Sequence, residues 1–320
     1  MSHPEAGMPG KNAAIPGGRS ADGHGSGGHG SGERRPGTGK LSVVGTPIGN
    51  LEDASPRVLR VLGEADLLLC EDTRVTGKLL AHFGIRVPLG RADENTLASR
   101  IEPTLDAIAS GQRVAFVSDA GMPGVSDPGQ RLVDAALDAD LPVEVIPGPS
   151  AVTCALVASG LPMDHFFFEG FLPRKRGAQL SRLQELALVP GALVLYESPR
   201  RVAATLANVA EVFPGRRVAL VRELTKLHEE TVRDLAPELA RRIAERGDLR
   251  GECVVVIAGP DAEELSRGAA AARQEELPLE EAIAQGLAAG EPKSALAKRL
   301  SKAYGLPRAQ VYDQIVATRG

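Results

Sequence analysis

The sequence predicts an α/β protein of two successive units followed by a small helix-turn-helix-like helical module. Three observations predict it. From Leu41 onward, short apolar runs alternate with amphipathic stretches of helical period, the pattern of strands joined by helices into parallel pairs. The alternation breaks and then resumes at His165, which marks a second unit. Beyond residue 276 the strand pattern is gone and only helical periodicity remains.

Residues 1–39 are rich in Gly, Ser, His and Pro. Such a segment cannot bury enough apolar surface to offset its ordering entropy, so a disordered tail is predicted. Residues 23–28 formally spell GxGxxG. Without a strand before it or a helix after it, that match does not support dinucleotide binding. The first unit, 40–162, has strand-like runs at 41–44, 66–70, 113–117 and 142–146. Ser55-Pro56 reads as an N-cap and first helical residue before Val58, Leu59 and Leu62, and Asp127-Pro128 repeats the device before Leu132, Val133, Ala136 and Leu137. The second unit, 163–260, has strand-like runs at 165–169, 192–196, 218–222 and 252–258, with helices expected near 178–188, 199–210 and 235–246. Residues 261–276 read as a linker or frayed helix. In 277–320, three helices are separated at Gly290 and at Gly305-Leu306-Pro307, with Leu296, Leu300 and Tyr304 on one stripe and Val311, Tyr312 and Ile315 on another.

Composition narrows the function classes. Of 320 residues 43% are hydrophobic and 24% charged, as in a soluble globular chain, and the net charge of -4 argues against a protein that coats nucleic acid over its whole surface. Basic residues nonetheless cluster locally. Lys293, Lys298, Arg299, Lys302 and Arg308 face only Glu291 over 291–312, and Arg174, Lys175, Arg176 and Arg182 face only Glu185 over 172–186. Cys70, Cys154 and Cys253 are far apart in apolar surroundings, with no metal-ligand spacing, so buried reduced thiols in a cytoplasmic protein are expected and no metal site is predicted. The first residues carry no apolar run of signal-peptide type, and no apolar stretch is long enough to span a bilayer.

The chemistry is expected in loops that follow strands, because ligands of open α/β sheets bind outside the carboxyl ends of the strands. Gly45-Thr46-Pro47-Ile48-Gly49-Asn50 turns sharply and lacks the Lys of a P-loop. Glu71-Asp72-Thr73-Arg74 is either a surface turn or a polar cluster in a cleft. The glycine-bearing loop 118–129 offers Asp119 to hydroxyls or an amine and free carbonyls to a cation. In Pro147-Gly148-Pro149-Ser150-Ala151, Pro149 fits the first helical position, and the unpaired N–H groups there suit a carboxylate. The second unit adds Tyr196-Glu197-Ser198-Pro199-Arg200-Arg201 and Arg222-Glu223-Leu224-Thr225-Lys226. A cleft between the units would gather all six segments.

These motifs, GTPIGN, EDTR, SDAGMPGVSDPG, PGPSA, EGFLPRK, YESPRR and RELTK in this order, resemble the ribosomal RNA small subunit methyltransferase I family within the tetrapyrrole methylases. The resemblance runs from Leu41 to Pro260, and 277–320 is similar to that family's C-terminal helical domain. Met122 departs from the pattern, where Thr is common. The resemblance implies a two-domain tetrapyrrole-methylase-like fold with the ligand cleft between the domains, and a homodimer. It implies S-adenosylmethionine as methyl donor, touching Pro47, Asp119, Met122, Ser150, Ala151, Tyr196 and Leu224. The implied acceptor is the ribose 2'-OH of a decoding-region cytidine (cytidine 1402) of 16S rRNA, with the small ribosomal subunit as the expected partner and free RNA as the open alternative. Removing the hydroxyl proton calls for a base or a cation. Glu71, Asp72, Glu197 and Lys226 are the candidates, with Arg74, Arg174, Lys175, Arg176 and Arg200 for RNA phosphates. Two other readings stay open: a precorrin- or uroporphyrinogen-type tetrapyrrole C-methyltransferase, and a non-enzymatic nucleic-acid-binding regulator whose α/β part senses a ligand.

Overall fold

The structure, a computed structural model, describes residues 39–124, 129–275 and 277–318. The predicted tail other than Gly39, and the Asp127-Pro128 helix start, lie outside the described residues. The first half runs β1 (Lys40–Val44), α1 (Pro56–Glu64), β2 (Leu67–Cys70), α2 (Thr73–His82), β3 (Leu89–Arg91), α3 (Leu97–Ala109), β4 (Arg113–Val117), α4 (Gly129–Asp138), β5 (Val143–Ile146) and α5 (Ala151–Ser159). Its sheet has the order β3-β2-β4-β1-β5, and every pairing is parallel. A parallel sheet must be covered on both faces, and the alternation of side chains does this. Leu41, Val43, Leu69, Val114 and Phe116 pack against α3 and α4, whereas Val44, Leu68, Cys70, Ala115 and Val117 pack against α1 and α2. Ser55 caps α1 as the sequence indicates, accepting the Val58 N–H at 3.2 Å, with Pro56 first in the helix. Leu137, expected on the core stripe of α4, is exposed, while Leu132 and Ala136 are buried.

The second half runs β6 (Phe166–Phe171), α6 (Arg176–Glu185), β7 (Ala192–Glu197), α7 (Val202–Val212), β8 (Arg217–Arg222), β9 (Glu230–Leu235), α8 (Ala236–Ala244) and β10 (Cys253–Ile257). Its sheet is mixed, in the order β6-β7-β10-β8-β9. Only β6 and β7 run parallel, and β10 lies antiparallel between β7 and β8. Leu193, Leu195, Val218, Leu220, Val255 and Ile257 pack against α6, α7 and α8; Val194, Ala219, Val221, Val254 and Val256 pack against α5. Thus α5 leaves the first sheet and covers a face of the second. That crossing brings the loop ends of both sheets to one place. Two strands escaped the sequence reading. β3 has only three residues, and β9 is an edge strand carrying the charges of Glu230, Arg233 and Asp234, which protect an edge from further pairing.

Residues 262–275 form a full helix, α9 (Ala262–Glu275). Arg216 ties its start to the second half: the guanidinium pairs with Glu264 at 3.1 Å and lies 4.3 Å over the Phe213 ring. The final module comprises α10 (Leu279–Ala288), α11 (Lys293–Ala303) and α12 (Arg308–Ala317), closed around Ile283, Leu296, Leu300, Val311 and Ile315. Tyr304 donates its hydroxyl to the Leu277 carbonyl at 2.5 Å. Tyr312, read as part of an inner stripe, faces outward. Cys70 and Cys253 are buried thiols, whereas Cys154 is only half-buried.

Candidate active site

Two loops of the first sheet meet at backbone contact. A Cβ on Gly148 would stand 2.7 Å from the Gly45 carbonyl carbon, and one on Gly45 would stand 2.6 Å from the Gly148 nitrogen. Only glycine fits at either position. The Gly148 N–H points at the Met122 sulfur, 3.2 Å away. Thr46 and Gly121 exchange both backbone hydrogen bonds, at 2.9 and 3.1 Å, and Gly121 holds a φ of +80° that suits glycine. A second lock joins the loops after β2 and β4. The Asp72 N–H donates to the Asp119 carboxylate at 3.0 Å, and the Asp119 N–H donates to Glu71 at 3.2 Å. The loop after β8 docks across from them. Glu223 and Thr225 hold φ of +53° and +65°, costly for non-glycine residues and above all for β-branched Thr. Thr225 Oγ1 accepts the Asn50 N–H at 3.1 Å, which ties this loop to the first sheet.

These loops enclose a cavity of about 380 Å³, within the range of small-molecule sites. Its walls are largely apolar, from Ile48, Met122, Ala151, Val221, Leu224 and Val254, with Tyr196 and Phe171 at the side. The two rings stand edge to face, 5.7 Å apart. Burial, helped by the charge of Glu252, pushes the Tyr196 hydroxyl pKa up. The first turn of α5 ends here with Ser150 as N-cap, so Pro149 lies before the cap and not at the first helical position expected for it. A second cavity of about 300 Å³ adjoins, lined by Pro47, Thr76, Lys78, Asp119 and Lys226 among others; Ile48, Ala120 and Glu252 line both. Lys226 Nζ bonds Glu223 at 2.8 Å and Glu252 at 3.0 Å. Burial works against its charge, but the two carboxylates outweigh it, and the ammonium pKa is raised.

A scan for known families matches residues 40–240 to "Tetrapyrrole (Corrin/Porphyrin) Methylases". The chain is 46% identical over 257 residues to ribosomal RNA small subunit methyltransferase I of Pseudomonas aeruginosa, covering 77% of this chain and 90% of that one. It is 43% identical over 288 residues to the Mycobacterium tuberculosis protein of the same name, covering 88% and 96%. The chain belongs to the ribosomal RNA small subunit methyltransferase I family of tetrapyrrole methylases. The fold agrees: the crystal structure of the methyltransferase CobJ superposes with a TM-score of 0.53 at 23% identity, over 69% of this chain and 94% of that one.

In this methylase, Met122, Ser150, Ala151, Tyr196, Leu224 and Glu197 line the larger cavity, and Pro47, Asp119 and Lys226 the smaller. Glu71 and Asp72 line neither, but brace Asp119 from behind. Asp72 also caps α2 and is held by Arg74 at 2.6 Å, which keeps its carboxyl far below the usual carboxylate range. The Glu197 carboxylate is 1% exposed and fully engaged, accepting from the Ser198 N–H at 2.8 Å and Thr205 at 2.7 Å and pairing with Arg201 at 3.3 Å. Arg201 also holds the Leu172 carbonyl at 3.0 Å, fastening the basic 172–176 segment to the end of β7. At the end of that segment Arg176 pairs with Glu211, and Arg182 of α6 is turned toward Glu169 and Glu185. Arg174, Lys175 and Arg200 are exposed and make no ion pair among the described residues. Sequence reasoning missed Glu252 and Phe171. Glu252 stands before a strand, not after one, and because β10 is antiparallel its beginning reaches the cleft. Among the described residues no group of His, Cys, Asp or Glu is placed to hold a metal, and no helix is long and apolar enough to cross a membrane.

Proposed function

We propose that this methylase transfers a methyl group from S-adenosylmethionine to the ribose 2'-OH of a decoding-region cytidine of 16S rRNA. The observation that carries the reading is the apolar, aromatic-flanked cavity at the meeting of the two sheets, in a chain whose relatives bear a ribosomal RNA methyltransferase name. The cavity suits the donor chemically. Apolar walls and the Tyr196 and Phe171 rings suit a base, and the first N–H groups of α5, free of helix partners, suit a carboxylate. When bound, S-adenosylmethionine supplies a methyl carbon activated by positive sulfur. Met122, Ser150, Ala151, Tyr196 and Leu224 would hold it, with Pro47 and Asp119 reaching it from the adjoining smaller cavity.

The chain's own residues then align the acceptor. Asp119, braced by Glu71 and Asp72, presents a fixed carboxylate to hydroxyls. Lys226 stays protonated beside two carboxylates and therefore serves as a cation that eases ionisation of a nearby hydroxyl. Arg174, Lys175 and Arg200 would face RNA phosphates, and Arg74 and Arg176 would join them by exchanging Asp72 and Glu211 for phosphate, a contribution that would fall with salt. Glu197, with its oxygens engaged, positions the end of β7. We further propose that 40–162 and 163–260 act as two lobes, with 261–276 linking them to a 277–320 accessory module. The enzyme would work as a cytoplasmic homodimer on the small ribosomal subunit. The test offers labelled donor to small subunits from cells lacking this methylation and, separately, to uroporphyrinogen. Label in RNA is expected; label in the tetrapyrrole would overturn the reading.

A further inference from the structure

Among the described residues, Ile48, Ala120 and Glu252 line both cavities, and of these Glu252 alone can carry a proton. Its backbone is fixed, because its N–H donates to Glu223 at 3.0 Å and its carbonyl accepts the Glu223 N–H at 3.0 Å. The preceding Gly251 holds a φ of +87°, and a Cβ there would run into the Glu223 carboxylate. The side chain itself is 75% exposed, with one oxygen on Lys226 at 3.0 Å. It is thus a solvated carboxylate held at the boundary between the donor cavity and its neighbour. The four candidates read from sequence are worse placed: Glu197 is buried and engaged, Asp72 is held by Arg74, Glu71 braces Asp119, and Lys226 is already protonated.

We propose that Glu252 is the general base of the methyl transfer and that the smaller cavity beside it receives the acceptor ribose, an inference that rests on the function proposed above. As the 2'-oxygen bonds to the methyl carbon, its O–H bond breaks and the proton passes to a Glu252 oxygen. The carbon–sulfur bond breaks with its electron pair left on sulfur, which becomes a neutral thioether. Lys226 stabilises the negative charge growing on the oxygen, and the exposed carboxyl returns its proton to water. The titratable and charged groups around Glu252 are Lys226 and Glu223 from the loop after β8, Tyr196 from β7, Cys253 beside it on β10, and Lys78 and Asp119 across the smaller cavity. Burial pushes Tyr196 up and the Cys253 thiol up to about 11, so neither titrates in the range where a carboxylate base would.

The test compares single-turnover methyl transfer to small subunits by the full-length wild type and Glu252→Gln across pH, with donor affinity measured by calorimetry. Glutamine keeps the size and an oxygen for Lys226 but cannot accept the proton. The expected result is a rate about 100-fold lower or more with unchanged donor affinity. The variant's rate should also keep rising with pH, because hydroxide must take the proton, where the wild type levels off. A variant within about threefold of wild type, or a loss equal at every pH, overturns the assignment. Label from both proteins at equal rates removes the base alone; no label from either removes the function and the base together.

Discussion

Replacing Gly148 by alanine perturbs the point where the loops after β1 and β5 touch. The added Cβ would lie 2.7 Å from the Gly45 carbonyl carbon and 2.8 Å from its Cα and oxygen. These are backbone atoms, and they cannot swing away as a side-chain tip would. To reach ordinary contact the loops must part by roughly 0.7 Å, the kind of overpacking that costs about 1–3 kcal/mol. The sheet resists that parting, since β1 and β5 are paired through Val44 and Ile146 and the Gly45 N–H donates to the Ile146 carbonyl at 2.9 Å. Met122, whose sulfur receives the Gly148 N–H, must move as well, and it forms part of the larger cavity's wall. Thermal unfolding should show a fall of about 2–4 °C for each kcal/mol lost. Calorimetry should show S-adenosylmethionine binding weakened at least about tenfold, or 1.4 kcal/mol. The control is Gly77→Ala in the middle of α2, where an added Cβ meets nothing within 4 Å. That change should stabilise by about 0.5–1 kcal/mol. Gly148→Ala with unchanged melting and unchanged donor affinity would refute the close-contact account of this corner.

Thr205→Val removes the hydroxyl that donates to buried Glu197 at 2.7 Å and should cost about 1–3 kcal/mol in chemical denaturation, because the carboxylate loses a partner it cannot replace with water. Leu296→Ala empties a fully buried position between α10 and α11 and should cost the helical module about 2–5 kcal/mol, read as lost hydrogen-exchange protection in 277–318. Acid should destabilise the second half. Lys226 lowers the pKa of Glu223, and Arg246, with Arg222, lowers that of Glu230, both from an ordinary 4.5. Carboxylates with depressed folded values contribute stability that is complete above their unfolded pKa and is lost as pH falls through the folded one. Melting temperature should therefore drop below about pH 4.5, and less steeply in Glu230→Gln, whose stability at neutral pH starts lower.

Much of the fold was legible because its signals are local. The alternation of Val114-Ala115-Phe116-Val117 sets two core faces of a parallel strand, and Ser55-Pro56 starts a helix through a hydrogen bond three residues away. The misses are non-local or weakly patterned. In β9, an edge strand, Glu230, Arg233 and Asp234 break up the apolar pattern, and nothing in the Glu252–Ile257 sequence says that the strand runs against its neighbours. That direction decides where Glu252 sits. Charge runs were similarly opaque. Arg182 counts as part of a basic lip until Glu169, thirteen residues earlier, is seen to take its guanidinium at 2.7 and 2.8 Å. The loop motifs themselves were visible, but the reason for their glycines was not. Gly45 and Gly148 are each required by the other, across a hundred residues of chain.

The central claim is tested most directly by incubating the purified methylase with labelled S-adenosylmethionine and small subunits from cells lacking the modification, and then mapping the label. The account predicts one labelled decoding-region cytidine whose 3' linkage resists alkali, as a 2'-O-methyl ribose must. Label on a base, at an alkali-sensitive linkage, or no label on RNA despite donor binding, would contradict it.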